Sequence, residues 1–278
     1  METSPVWFIT GASSGFGRAF AEYALTQGYR VVATARKSES IQPLADQYPN
    51  RTLALRMDVN DRSQIDAAVG QAMERFGQVD VLINNAGYGI VGAVEETPED
   101  ELRALMETNF FGAMAVTRAL LPHLRHRGRG AIVNISSLGG QLSIAGFGSY
   151  SASKFALEGI SEALAQEVKP LGIKVLIVEP GQFRTNLAGV GMRFMPEIEA
   201  YSESAGPTRQ FARSSHGTQF GDPYKAARAI DVALGDPNPP LRLQLGQDSV
   251  DMIRAHAETL LSDLKRWEAI AVDTRLDG

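Results

Sequence analysis

Short runs of apolar, often β-branched residues alternate with longer amphipathic stretches along most of the chain. Val6–Thr10, Tyr29–Ala35, Thr52–Met57, Val79–Ile83, Ala131–Ile135 and Lys174–Val178 read as strands. Several are apolar at every position rather than every second one, which suits strands covered on both faces and therefore a parallel sheet between helices. Helical spacing fits the intervals Gly15–Gln27, Ser38–Gln47, Arg62–Phe76, Glu99–His126 and Ser149–Lys169. Pro98 ahead of Glu99, Asp100 and Glu101 marks a first helical turn, and Gly77 follows Phe76 where a helix should stop. The repeated βαβ pattern predicts a doubly wound α/β architecture in one domain spanning residues 1–278.

The pattern changes after Thr185. Residues 186–221 lack a clear period and include a Ser/Gly-rich stretch from Ser202 to Gly217, expected to form a mobile substrate lid. Helical spacing returns over Asp222–Leu234. A turn at Asp236–Pro240 precedes a last strand at Leu241–Leu245, and an amphipathic helix over Asp248–Ile270 forms a C-terminal extension at 247–270.

A chain of 278 residues can bury a full core without a disulfide or metal staple. The net charge of −5 is spread out, and the one basic stretch, His123–Arg129, sits where it complements a helix dipole, so nucleic acid is not an expected partner. Thiol redox chemistry and disulfides are ruled out by the absence of cysteine. The first strand begins at Val6, too early for a secretory peptide ahead of it, and no run reaches the ~20 apolar residues of a membrane span; a cytoplasmic location without membrane contact follows. His123, His126, His216 and His256 lack zinc spacing, so no metal is expected.

Chemistry enters with three groups of residues. Gly11, Gly15 and Gly17 follow the first strand and open a helix, the context in which a pyrophosphate can approach backbone N–H groups at a helix N-terminus, although a plain tight turn has the same look. The second strand ends Ala35-Arg36-Lys37, without the acid that would hold an adenosine ribose 2′-hydroxyl; two cations there favour a 2′-phosphate, hence NADP, with NAD the alternative. Asp58 either accepts from an adenine amino group or caps the helix near Asp61. Finally, Tyr150 and Lys154 stand four residues apart and share a helix face. A tyrosine titrates near ~10 and each unit of depression takes about 1.4 kcal/mol, which a neighbouring ammonium is expected to supply.

Taken in order, Thr10 to Gly17, Asn84-Asn85-Ala86-Gly87, Asn109, Ser137, Tyr150 with Lys154, and Pro180-Gly181 with Thr185 make the chain resemble the short-chain dehydrogenase/reductase family from about Val6 to Thr185. The resemblance implies a Rossmann-type sheet of about seven strands with helices on both faces. It assigns catalysis on CH–OH/C=O groups to Tyr150 as general acid/base, Ser137 on the same oxygen, Lys154 on the cofactor ribose, and Asn109 to a water relay. Ser136 and Ser143 compete with Ser137, whose distance to Tyr150 favours it. Cofactor contacts implied are Gly11, Ser13, Ser14, Gly15, Phe16, Gly17, Arg36, Lys37, Asp58, Val59, Asn85, Ala86, Gly87, Tyr150, Lys154, Pro180, Gly181, Phe183 and Thr185. Asn84 is expected to tie the central strands instead. Substrate contacts implied are Ser137, Leu142, Phe147, Tyr150 and Met192, with Tyr88, Gln141, Phe183, Phe194 and Met195 as further wall residues. The apolar character suggests a bulky hydrophobic ketone or secondary alcohol, and the stretch from Phe110 to Leu187 looks most like members acting on hydroxysteroids and retinol. A homodimer or homotetramer built on the fourth and fifth helices is also implied. The competing class is a non-catalytic dinucleotide-binding sensor or scaffold, against which the intact Ser, Tyr and Lys argue. An epimerase or dehydratase on the same fold is disfavoured by the three-residue gap between Gly11 and Gly15.

Overall fold

In a computed structural model of the protein, which describes residues 4–189 and 191–276, seven parallel strands form the central sheet. These are β1 (Val6–Ile9), β2 (Arg30–Ala35), β3 (Thr52–Arg56), β4 (Val81–Asn84), β6 (Gly130–Ile135), β7 (Ile173–Pro180) and β9 (Arg242–Leu245), in the order β3-β2-β1-β4-β6-β7-β9. The intervening helices are α1 (Gly15–Thr26), α2 (Gln42–Gln47), α3 (Arg62–Phe76), α4 (Glu99–Met106), α5 (Ala113–Arg127), α6 (Gly148–Val168), α7 (Gly206–Ser214), α8 (Pro223–Gly235) and α9 (Gln247–Val272). The first two crossovers, β1 to β2 and β2 to β3, run outward from β1 on one side, and those after β4 run outward on the other, which places the switch point between β1 and β4.

Alternate strand residues feed two cores. Trp7, Ile9, Val31, Ala33, Val81, Ile83 and Val133 pack with α1 and α8 on one face, while Val6, Phe8, Val32, Leu82, Ile132 and Val175 pack with α3, α5 and α6 on the other. Both faces are therefore dry, as the continuous apolar runs require. Local signals set the helix ends: the Asp61 carboxylate accepts from the Ser63 and Gln64 amides at the start of α3, and Gly77 (φ +71°) closes it in a left-handed turn that other residues adopt only with strain. The helix expected over Glu99–His126 is present but passes through a π-helical turn at Glu107–Gly112. At its end, a Cβ on Gly112 would run into the side chain of Val59.

The segment after Thr185 is more regular than expected. Met192–Phe194 (β8) pairs in parallel with Gly89–Val91 (β5) in a second, two-stranded sheet, and the Ser-rich stretch contains α7. A buried ion pair anchors it: Arg209 on α7 reaches Glu96, whose carboxylate also accepts from the amides of Ala93 and Ile198. Arg209 further donates to the Met195 carbonyl at 2.8 Å. Val190, within the expected lid, and both ends of the expected 1–278 domain lie outside the described residues. Among the described residues no helix is long and apolar enough to cross a membrane.

Candidate active site

A cavity of about 930 Å³ opens at the carboxyl edge of the sheet. Its floor begins at the turn between β1 and α1. Gly11 (φ +67°) and Gly15 (φ +55°) take backbone angles that favour glycine, and a Cβ on Gly17 would land on the Gly11 carbonyl oxygen. The turn is braced from β4: the Thr10 hydroxyl accepts from the Asn85 and Ala86 amides at 2.9 and 3.0 Å, and Asn85 Nδ2 donates to the carbonyls of Thr10 and Gly11. Asn85 thus holds the glycine turn with its side chain while its backbone edge faces the cavity. Asn84 ties strands together as expected, donating to Thr117 and to Asn134, which in turn donates to Ser161.

Replacing Gly17 with Ala should accordingly weaken nicotinamide dinucleotide binding at least tenfold, because the Gly11 carbonyl has no room to retreat from the new methyl group. Cofactor fluorescence titration measures this, with far-UV circular dichroism to show that the sheet is intact; unchanged affinity would remove the cradle from the cofactor site.

Of the residues expected to bind cofactor or substrate, nearly all line this one cavity: Gly11, Ser13, Ser14, Gly15, Phe16, Arg36, Asp58, Val59, Asn85, Ala86, Gly87, Pro180, Gly181, Phe183 and Thr185 toward the sheet, and Ser137, Leu142, Phe147, Tyr150, Lys154 and Met192 toward the mouth. Three expected residues are not on its wall. Gly17 lies beneath the turn, Lys37 is exposed beyond the rim, and Asn109 is buried behind Gly87. Asn109 sits in the π turn, donates to the Tyr88 carbonyl at 2.9 Å and Ser153 at 3.0 Å, and accepts from the Tyr88 amide at 3.1 Å. Both amide hydrogens are used inside the protein, so a relay water would have only the remaining Oδ1 lone pair. Gln141, Phe194 and Met195 are also off the wall: Gln141 donates to Glu158, the Phe194 ring carries Arg213, and Met195 belongs to a small core with Ile90 and Leu105.

Asp58 faces the cavity, and Asp61 does the helix capping. At the end of β2 no carboxylate is present, and Arg36 stands exposed at the rim. Thr185 packs its side chain beneath Gly15 and accepts from the Leu187 amide at 3.3 Å.

Tyr150 and Lys154 come from consecutive turns of α6, and Ser137 from the end of β6. The Ser137 hydroxyl lies beside the Tyr150 phenol, near enough to favour its ionised form, and Ser137 Oγ accepts from the Gly139 amide at 3.1 Å. Lys154 Nζ donates to the Ile135 carbonyl at 2.8 Å and lies 5.8 Å from the Tyr150 ring centroid. The expected depression of the Tyr150 pKa by Lys154 is not what the surroundings produce. Burial raises the phenol above its ordinary value, countered only by the Ser137 hydroxyl alongside. Burial also lowers the Lys154 ammonium to about 8, against the pull of Glu158. Desolvation outweighs the Ser137 hydroxyl in the first case and the Glu158 charge in the second.

Several wall residues escaped sequence reasoning. Asp248 and Met252, from the first turns of α9, close the cavity beside β7, and Phe211 of α7 stands over the mouth. Asp248 accepts from the Gln182 amide at 2.7 Å, and a Cβ on Gly181 would collide with its carboxylate. Their distance in sequence from the recognisable motifs left no local signal.

The fold and this cleft together define a Rossmann-type α/β oxidoreductase, with a glycine turn at the switch point and a Ser–Tyr–Lys cluster across from it. Residues 5–192 match the short chain dehydrogenase family model, and the chain belongs to that family. It is 41% identical over 261 residues to a 3-ketodihydrosphingosine reductase of Bacteroides thetaiotaomicron, covering 92% of both chains. A short-chain dehydrogenase from Streptomyces avermitilis superposes with a TM-score of 0.93 at 52% identity, over 99% of this chain and 100% of that one. A family member from Burkholderia phymatum, solved in complex with NAD, superposes with a TM-score of 0.81 at 26% identity, over 94% and 95% of the two chains.

Proposed function

We propose that the protein reduces the carbonyl of a hydrophobic ketone with NADPH, or oxidises the corresponding secondary alcohol in reverse. The observation that carries this reading is the convergence of the Ser137 and Tyr150 hydroxyls on one point of the cavity, with the Lys154 ammonium behind the phenol. The nicotinamide supplies hydride. The glycine turn fits a pyrophosphate, because any side chain at Gly17 would fill the space beneath it. Asp58 and Lys154 both face the cavity, where Asp58 would accept from the adenine amino group and Lys154 would hold the ribose hydroxyls.

In reduction, the substrate oxygen gains negative charge as its carbon receives hydride. Tyr150, kept protonated at neutral pH by its buried setting, donates its proton to that oxygen. Ser137 holds the oxygen in line and donates a second hydrogen bond, while the Lys154 charge steadies the phenolate left behind. Asn109 is a positioning residue, fixing Tyr88 and the adjoining turn through Gly87. Leu142, Phe147, Phe183, Met192, Phe211 and Met252 supply an apolar wall for the rest of the substrate. The name of the Bacteroides relative also points to a keto group as the reacting centre. A purely sensory role has no use for a serine hydroxyl set against a tyrosine with an ammonium behind it.

Initial rates over a panel of aliphatic, aromatic and polycyclic ketones, followed by nicotinamide absorbance with NADPH and NADH, test the proposal. Turnover of none of them alongside saturable cofactor binding would leave the sensor reading in possession. Arg36 gives the cofactor arm. Arg36→Ala should raise the Michaelis constant for NADPH about tenfold, the loss of one charge-assisted contact, and leave that for NADH unchanged. A lower constant for NADH in the wild type, indifferent to the substitution, would reverse the preference.

A further inference from the structure

Among the described residues, none covers the C-terminal helix over most of its length. α9 runs from Gln247 to Val272, and only Ser249 in it is buried. Leu260, Leu261, Leu264, Trp267 and Ile270 are each more than half exposed. Scattered apolar residues on a surface need no explanation, but Leu260, Leu264 and Trp267 lie on one stripe, with Leu261 and Ile270 flanking it on either side. Ile253, Ala257, Leu260, Leu264, Trp267 and Ala271 follow one another at intervals of four, three, four, three and four residues, the spacing of a coiled-coil seam.

We propose that α9 pairs antiparallel with α9 of a second copy of the chain. Side-chain sizes select the direction. Antiparallel layering sets Ile253 against the partner's Ala271, Ala257 against the partner's Trp267, and Leu260 against the partner's Leu264, so each small residue faces a large one. Parallel layering would stack Trp267 on itself and leave Ala257 facing Ala257, with a void at one layer and crowding at another. Charge selects the same direction. In the antiparallel arrangement Arg254 flanks the partner's Glu268 twice over, and Leu261 meets its own copy across the two-fold axis. Asp263 against its own copy is the one repulsive pair. The parallel arrangement sets Asp263 beside the partner's Glu268 in both flanks. Arg254 is available for this exchange, since its 3.2 Å contact to Asp251 is an exposed pair of little weight.

A lipid surface is the other occupant an amphipathic helix takes, and the polar face argues against it. α9 carries five acids (Asp248, Asp251, Glu258, Asp263 and Glu268) against three bases (Arg254, Lys265 and Arg266), without the basic excess that draws such helices to anionic membranes. Pairing also bears on the cleft, because the same helix places Asp248 and Met252 in its wall.

The chain has no cysteine, so an introduced thiol reports alone. In the full chain, Asp263→Cys should give a covalent dimer with a short bismaleimide, while Ala269→Cys, on the outer face, should not. Leu260→Asp combined with Leu264→Asp should halve the mass seen by sedimentation equilibrium, with circular dichroism and cofactor binding retained. Three results would each overturn the proposal: no cross-linking at Asp263→Cys above the Ala269→Cys control, stronger cross-linking at Leu264→Cys than at Asp263→Cys, as parallel pairing requires, or an unchanged mass in the double variant. An unchanged mass together with loss of co-sedimentation with phosphatidylglycerol vesicles would assign the stripe to lipid instead.

Discussion

Replacing Tyr150 with Phe is expected to lower kcat for ketone reduction by about 10²–10⁴-fold, the range that a positioned general acid contributes. The substitution keeps the ring beside Phe147, 6.1 Å between centroids, and removes only the hydroxyl. Cofactor affinity should therefore stay within a few-fold of wild type, and the loss should appear in kcat rather than in KM for the ketone. Single-turnover kinetics with saturating cofactor measures it; a variant retaining more than a tenth of the wild-type rate would mean that another group delivers the proton. The pH profile adds a second signature. Lys154 is held at about 8 by burial, so its charge is present below that value and lost as the pH rises through it. Reduction should slow above pH ~8 in the wild type, and that limb should vanish in Lys154→Met, whose residual rate no longer depends on an ammonium.

The six strands from Val6 to Val178 and the helices between them were legible because each needs apolar residues at fixed intervals, and their ends carry Gly77, Asp61 or Pro98 as punctuation. The Tyr150–Lys154 pair was legible for a related reason: a four-residue spacing on a helix fixes which side chains are neighbours. What escaped notice depends on contacts between distant parts. β5 and β8 are three residues each, too short for a period, and exist because they pair with one another. α7 hides in a Ser-rich stretch because its buried face includes Arg209, which any count of apolar positions treats as solvent-facing. Its partner Glu96 lies far upstream. The pKa of Tyr150 belongs to the same class. Spacing correctly placed Lys154 beside it, but spacing says nothing about how dry the site is, and dryness prevails.

The largest stability effect is expected at Arg242, on the last strand. Its guanidinium contacts Glu158 at 3.0 Å, Glu179 at 3.2 Å and the more exposed Glu162 at 2.8 Å. Glu158 and Glu179 are both buried and lie side by side, so Arg242 is the cation that makes two adjacent interior carboxyls tolerable. Arg242→Leu should cost about 3–5 kcal/mol of unfolding free energy, as removal of one partner from a buried ionic cluster does, read from urea midpoints at pH 7.5. Adding Glu179→Gln should recover part of that loss, since one of the stranded charges is gone; no recovery would mean that Arg242 acts through packing alone. The pH dependence has a definite sign. Burial, with Glu158 alongside, pushes Glu179 from its ordinary 4.5 up to about 7. The folded protein therefore binds a proton that the unfolded chain has already released, and this group's contribution to stability is greatest below pH ~4.5, falls as the pH rises toward ~7, and stays flat above. Glu179→Gln should flatten that decline. The effect reaches the site as well, because Glu158 accepts from Ser136 at 2.6 Å and from Gln141, the two ends of the loop that carries Ser137. Freed from Arg242, Glu158 would be drawn toward water, and the loop with it. Arg242→Leu should then lower kcat as well as stability at temperatures where the variant is still folded, whereas Arg213→Leu, which removes an exposed pair with Glu197, should change neither.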